Sequence, residues 1–235
     1  MIPLRDDQPS FSTPFINYFL IVLNVLVFFW EFSIEIQSQR ALNAVLMDFA
    51  VVPHHQIAAL TGHSYDSPIA GILPLFTSMF LHASWLHVAG NMLFLWIFGD
   101  NIEDYLGHFR YLLFYLTGGV IAGVTHILLN ASSRVPSVGA SGAIAGVMGA
   151  YFILYPRARV LTWFPPIFFF YVPAWLMLGY WFFAQFLSGT VTSIAETTQT
   201  TGGIAFWAHV GGFVAGVVMI KIFRERPHRY RYGTW

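Results

Sequence analysis

Three short stretches of this 235-residue chain place serine, histidine and asparagine where they could do chemistry. The first is GASG at 139–142, preceded by Pro136 and Ser137 and followed by an uncharged run. A helix opening there would put Ser141 at its N-terminus, where unpaired N–H groups and the helix dipole favour negative charge. Those are the conditions for a serine that acts as a nucleophile and stabilises an oxyanion. The second stretch is AHVGG at 208–212. On a helix, His209 shares a face with Gly212 and Gly216, three and seven residues on. Gly142 and Gly146 make a similar small-residue face. If the two faces met, His209 could reach Ser141 as its general base. The third stretch is HASWLHVAGN at 82–91. Its His87 and Asn91, four apart, share one helix face, and both can donate hydrogen bonds to an oxyanion.

Each stretch also has a plainer reading. Serine and glycine are common in membrane helices because small residues let helices approach closely. A lone histidine near a membrane interface is often satisfied by a backbone carbonyl. His82 and His87 could in principle share a metal ion with His126 as a third ligand. No HExxH and no carboxylate on the same faces accompany them, so no metal and no organic cofactor is expected. Helix-to-helix hydrogen bonding is the default for His126 and a ready alternative for His82. Asp100, Glu103 and Asp104, with Arg110, read as an interfacial stop and loop rather than a proton relay.

The elements that must hold these residues follow from composition. The chain is 57% hydrophobic and 9% charged, with mean hydropathy +0.63. A soluble domain carries roughly 25% charged residues, so lipid is the natural solvent. A net charge of zero gives no encouragement to a nucleic-acid partner. The absence of cysteine removes disulfides, zinc–thiolate sites and thiol catalysis together. Residues 1–12 are polar and mixed in charge, and no small-residue cleavage site follows the first apolar run, so no cleavable signal peptide is expected.

Each Asp, Glu, Lys or Arg costs roughly 2.5–3.5 kcal/mol at the centre of a spanning helix, and a span needs about 20 apolar residues. Long uncharged runs cover 8–30, 67–99, 111–133, 135–156, 160–195 and 197–220. They predict an all-α polytopic membrane protein of six spans, near 12–31, 86–106, 110–131, 141–156, 167–187 and 204–223. The first loop is long, and its mixed segment 41–60 predicts short amphipathic helices at the interface. The Ser/Thr/Gly-rich stretch 188–203 reads as a flexible loop. With the N-terminus inside, Arg5, Arg110, Arg157, Arg159, Lys221, Arg224, Arg226, Arg229 and Arg231 are inside, and only Arg40 and Arg134 outside. Nine against two is a strong positive-inside bias. It predicts both termini cytoplasmic, the first loop outward, and the basic tail 224–231 an orientation anchor.

HASWLHVAGN, GASGAIAG and AHVGGFVAG, in this order and on the second, fourth and sixth spans, resemble the rhomboid family of intramembrane serine proteases. The resemblance covers about 14–223 and implies that 1–235 is a single rhomboid membrane domain. It implies a Ser141–His209 dyad with no third acid. It also implies an oxyanion hole of His87, Asn91 and the Ser141 N–H, and a structural His82. Gly139, Gly142 and Gly212 would shape the backbone around the site. The loop 188–203 would be a mobile cap, and the aromatic fifth span would border a lateral entrance. The implied substrates are single-span membrane proteins cut near the outer face, and the implied location is a prokaryotic cell membrane. Members of the family often carry a bulky aromatic one turn after the serine, beneath the histidine. Ala145 stands there in this chain, so another group must support the His209 ring. Two other classes fit the sequence less well. An inactive rhomboid-like protein that binds membrane-protein clients usually lacks the serine or the histidine, and both are present. A small-molecule transporter needs a polar midplane site between repeats, and the sequence offers neither.

Overall fold

The computed structural model of the protein describes residues 1–62, 68–194 and 205–223. A short strand β1 (Ile2–Asp6) precedes the long helix α1 (Phe15–Gln37). The first loop holds α2 (Gln39–Phe49), α3 (Pro53–Leu60), α4 (Pro68–Ile72), α5 (Pro74–Thr77) and a 3-10 turn, Ser78–Phe80. Then come α6 (Trp85–Leu106), α7 (His108–Leu129), α8 (Ser141–Leu154), strands β2 (Arg159–Phe164) and β3 (Phe168–Pro173), α9 (Ala174–Ile194) and α10 (Phe206–Ile222). Among the described residues, α1 and α7 are long and apolar enough to cross a membrane. The Pro68–Phe80 segment with α6, bent by 81°, makes a third such unit, and α8 and α10 are apolar but shorter.

α8 is the centre of the bundle. Gly142 to Tyr151 are all buried on it, and it packs against α10, α7 and α6. Its glycines permit this. A methyl group on Gly212 would collide with the Gly142 carbonyl, one on Gly216 with the Gly146 carbonyl, and one on Gly149 with the Phe213 carbonyl. The two backbones therefore touch along three successive turns, which small residues alone allow.

The peripheral helix α1 is amphipathic in the opposite sense to a helix in water. Its buried side is Asn17, Leu20, Asn24, Phe28 and Glu31. Its exposed side carries Phe15, Phe19, Val22, Leu26, Phe29 and Trp30. Polar groups inward and large apolar groups outward is the arrangement that lipid selects. Asn17 and Glu31 find partners inside the bundle. Asn17 Nδ2 donates to the Leu95 carbonyl (3.0 Å), Tyr111 Oη donates to Asn17 Oδ1 (2.8 Å), and Glu31 Oε2 accepts the His82 N–H (3.0 Å). Because Glu31 faces inward to a partner, the helix runs on to Gln37 rather than ending near residue 31.

The chain is not all-α, which corrects the expectation from uncharged runs. β1, β2 and β3 form an antiparallel sheet in that order. β2 and β3 pair from Arg159–Pro173 to Phe164–Phe168, around a turn at Pro165 and Pro166. The sequences VLTWF and FFFYV are β-branched and aromatic, which suits strands, and the two prolines preclude a helix through the turn. The fifth long helix accordingly begins at Ala174 and not near 167, and it continues through 188–194, where a flexible loop is the expectation. The remainder of that loop, the start of the expected sixth span at 204 and the tail 224–231 lie outside the described residues. Glu103 also departs from its reading as an interfacial stop. It is fully buried and accepts the Ile16 and Asn17 N–H groups (2.9 and 2.7 Å), so it satisfies the first turn of α1. His108 Nδ1 lies 2.5 Å from Glu103 Oε1, the oxygen that also accepts the Ile16 N–H.

Candidate active site

Ser141 is the first residue of α8. The chain reaches it through Gly139, whose φ of +127° lies in the range that side chains disfavour, and whose N–H donates to the Ser78 carbonyl (2.8 Å). A methyl group on Gly139 would sit 2.7 and 2.8 Å from Cε1 and Nε2 of His87 and 3.5 Å from Nδ2 of Asn91. The backbone before the serine is thus pressed directly onto the His87 ring, and glycine is required there twice over.

His209 lies in the first turn of α10 and is buried. The glycine contact between α8 and α10 brings its Nε2 to 2.7 Å from Ser141 Oγ. Its Nδ1 lies 2.7 Å from Oε1 of Gln185, on α9. An amide oxygen can only accept, so Nδ1 carries the ring hydrogen and Nε2 presents a lone pair to the serine hydroxyl. A neutral histidine in this tautomer can act as a general base toward the serine hydroxyl it faces. Trp181, one turn before Gln185, lies against the same imidazole, with ring centroids 5.6 Å apart and planes at 37°.

His87 and Asn91 stand on the first turns of α6, which Ser84 caps by accepting the His87 N–H (3.2 Å). Ser141, His209, His87, Asn91 and Trp181 line one cavity of about 250 Å³. Asn91 Nδ2 is 3.0 Å from His82 Nε2, while His82 Nδ1 is 3.3 Å from the Phe80 carbonyl. The consistent assignment is His82 donating from Nδ1 and accepting from Asn91, and the amide keeps a second N–H to offer the cavity. His82 therefore ties together the 3-10 turn, α1 through Glu31, and Asn91. His126 lies outside the cavity that holds His209. It shares a second small cavity of about 30 Å³ with Ser78, Ser137 and Ser141, and lies within 3.3 Å of Asn130 Nδ2. Among the described residues no three His, Cys, Asp or Glu converge in a way that could hold a metal ion.

The structure thus brings together every residue that the sequence motifs single out for the dyad and the oxyanion hole. It adds two that the motifs miss, Trp181 and Gln185, and these occupy the supporting role that Ala145 leaves open. A signal for Gln185 was present. It is the one amide in the apolar stretch 174–187, and a polar group inside a membrane helix is a functional candidate by default.

Comparison with known proteins agrees with the motifs. Residues 70–226 match the Rhomboid domain family. The chain is 34% identical over 201 residues to "Presenilin-associated rhomboid-like protein A, mitochondrial" of Danio rerio, covering 81% of this chain and 48% of that protein. It is 30% identical over 195 residues to "Presenilin-associated rhomboid-like protein, mitochondrial" of Mus musculus, covering 79% and 47%. It is 30% identical over 168 residues to "Rhomboid protein 1, mitochondrial" of Saccharomyces cerevisiae, covering 67% and 45%. The chain spans less than half the length of these relatives. All three are named as mitochondrial, so nothing in the comparison supports the expected prokaryotic cell membrane.

Proposed function

The chain belongs to the rhomboid family, and from that premise we propose that it is an intramembrane serine endopeptidase that cuts single-span membrane proteins near the outer membrane face. The observation that carries the proposal is the 2.7 Å contact between Ser141 Oγ and His209 Nε2 at the N-terminus of a buried helix. Ser141 Oγ attacks the scissile carbonyl while His209 Nε2 takes its proton. The oxyanion that forms is held by the Ser141 N–H, which the first turn of α8 leaves unpaired, and by His87 and Asn91. His209 then returns the proton to the leaving amine. Water from the cavity repeats the attack on the acyl-serine, with His209 again as base.

In this reading α1, α6, α7, α8, α9 and α10 are six spans, and α2 and α3 lie at the outer interface. Arg5 and Arg159 lie on the paired strands β1 and β2, Arg157 at the foot of α8, Arg110 at the start of α7 and Lys221 at the end of α10. This end of the bundle is opposite Ser141, which supports an inside assignment for it and an outward-facing site. The alternative, an inactive rhomboid-like protein that binds membrane-protein clients, finds no support in a serine and histidine already in contact.

The test is cleavage of a generic spanning-helix substrate by the purified protein in detergent, wild type beside Ser141→Ala and His209→Ala. Wild type cleaves, and each variant loses cleavage while remaining folded. If wild type and Ser141→Ala cleave equally, the nucleophile is wrong. If wild type neither cleaves nor reacts with a fluorophosphonate at Ser141, the binding protein is the better reading.

A further inference from the structure

Resting on that protease reading, we infer that Gln185 is a positioning residue for the reaction, the third member of a Ser141–His209–Gln185 relay in which an amide stands where a soluble serine protease uses a carboxylate. The sequence motifs imply a dyad that ends at His209. The geometry continues one step further, because His209 Nδ1 is 2.7 Å from Gln185 Oε1. This contact does two things that the dyad alone cannot. It places the ring hydrogen on Nδ1, so that Nε2 faces the serine as an acceptor. It also keeps an acceptor on Nδ1 when His209 becomes an imidazolium and both ring nitrogens are donors.

An amide suits the setting better than a carboxylate. The resting site would otherwise hold an uncompensated charge next to a neutral histidine, in a bundle surrounded by lipid. Gln185 supplies the acceptor without the charge. The imidazole has little room to turn away. Trp181, one turn earlier on the same face of α9, lies at 5.6 Å from the His209 ring centroid. α9 itself is held to α10 on both sides of His209. Phe182 packs on Phe213 at 4.8 Å, Phe186 on Trp207 at 6.0 Å, and Trp207 Nε1 donates to Ser193 Oγ at 3.1 Å. The helix that walls the cavity through Trp181 is therefore the one that sets the tautomer of the base.

The experiment compares wild type with Gln185→Met and Gln185→Glu. Met keeps the length and apolar volume but removes the acceptor oxygen, whereas Glu keeps an acceptor oxygen in either protonation state. Two rates are measured for each, kcat for a spanning-helix substrate and the rate at which a fluorophosphonate labels Ser141, which reports nucleophile activation without substrate binding. Unfolding temperature in detergent is the control for folding. Gln185→Met should lower both rates by at least roughly 10- to 100-fold, the range typical of removing the hydrogen-bond partner that orients a metal-bound histidine, with KM unchanged. Gln185→Glu should recover most of that loss. Equal kcat and labelling rates in wild type and Gln185→Met would overturn the inference while leaving the protease reading intact. So would a loss confined to KM, or a Glu variant as slow as Met at the same unfolding temperature, since each would make Gln185 a packing residue. A wild type that neither cleaves nor labels would sink the protease reading and the inference together.

Discussion

At the scale of single residues the site divides by how far each signal travels along the chain. Ser141, His209, His87 and Asn91 were legible because each sits in a short motif whose spacing already puts the right group on the right helix face. Trp181 was not, and Gln185 showed only as the one amide in an apolar stretch, because their meaning lies in a contact with a residue 24 or more positions away on another helix. Ala145 showed only that some support for His209 was missing. Asn91 carries two duties, a bond to His82 at 3.0 Å and a place on the cavity wall, and the variants should separate them. Asn91→Ala should lower kcat by no more than the 10²–10³-fold typical of one oxyanion donor, because the Ser141 N–H and His87 remain. His82→Ala leaves the Asn91 amide in place but unheld, so it should reduce kcat less and lower the unfolding temperature more. Steady-state kinetics beside a melting curve for the two variants is the check. An Asn91→Ala enzyme with wild-type kcat would remove Asn91 from the oxyanion hole.

At the scale of elements, the close contact of α8 with α10 decides whether Ser141 and His209 meet. The paired glycine faces could be read from the sequence, since GxxxG spacing on two apolar runs states what could touch what. The strands β2 and β3 could not be read by the same method. Counting uncharged residues treats VLTWF and FFFYV as part of a span, although their aromatic and β-branched composition and the two prolines between them point to a hairpin. Gly216 gives the sharpest test of the helix contact. It lies two turns below His209, outside the cavity, and a methyl group on it meets the Gly146 carbonyl. Backbone cannot yield as a flexible side chain does, so Gly216→Ala should push α10 outward. We expect a loss of about 1–3 kcal/mol in stability, as for other overpacked cores. A displacement of about 1 Å at the dyad should also cost roughly 10²-fold in the fluorophosphonate labelling rate. Gly90→Ala is the control for stability alone, since Gly90 lines the cavity. Nothing lies within 4 Å of the added methyl, so its unfolding temperature should hold or rise. If Gly216→Ala melts and labels like wild type, close helix contact is not what brings His209 to Ser141.

At the scale of the whole molecule, the polar network at the end of the bundle opposite Ser141 is where pH should act. Membrane residence was legible from composition, and the inverted amphipathicity of α1 explains why counting charges ended that span near residue 31 although the helix runs on to Gln37. The part played by the N-terminal strand was not legible, because residues 1–12 are polar and mixed in charge and their partners lie some 150 residues away. Strand β1 pairs with β2, and Asp6 at its end accepts a hydrogen bond from Tyr151, deep on α8. Burial raises the Asp6 carboxyl to about 6 from its ordinary 3.8, even though the Tyr151 hydroxyl opposes the shift by favouring the charged form. A carboxyl raised in the folded state binds its proton more tightly there than in the unfolded chain. Its stabilising contribution is therefore complete below about pH 4 and is lost as pH rises through about 6. Thermal unfolding in detergent at a series of pH values should show this component of stability declining between pH 4 and 6 and level above it. Asp6→Asn keeps an acceptor for Tyr151 and cannot ionise, so its curve should lack that decline and lie above wild type at pH 7. Parallel curves for the two proteins would mean that Asp6 does not sense pH through its burial against Tyr151, and that the sheet is anchored to α8 by its backbone pairing alone.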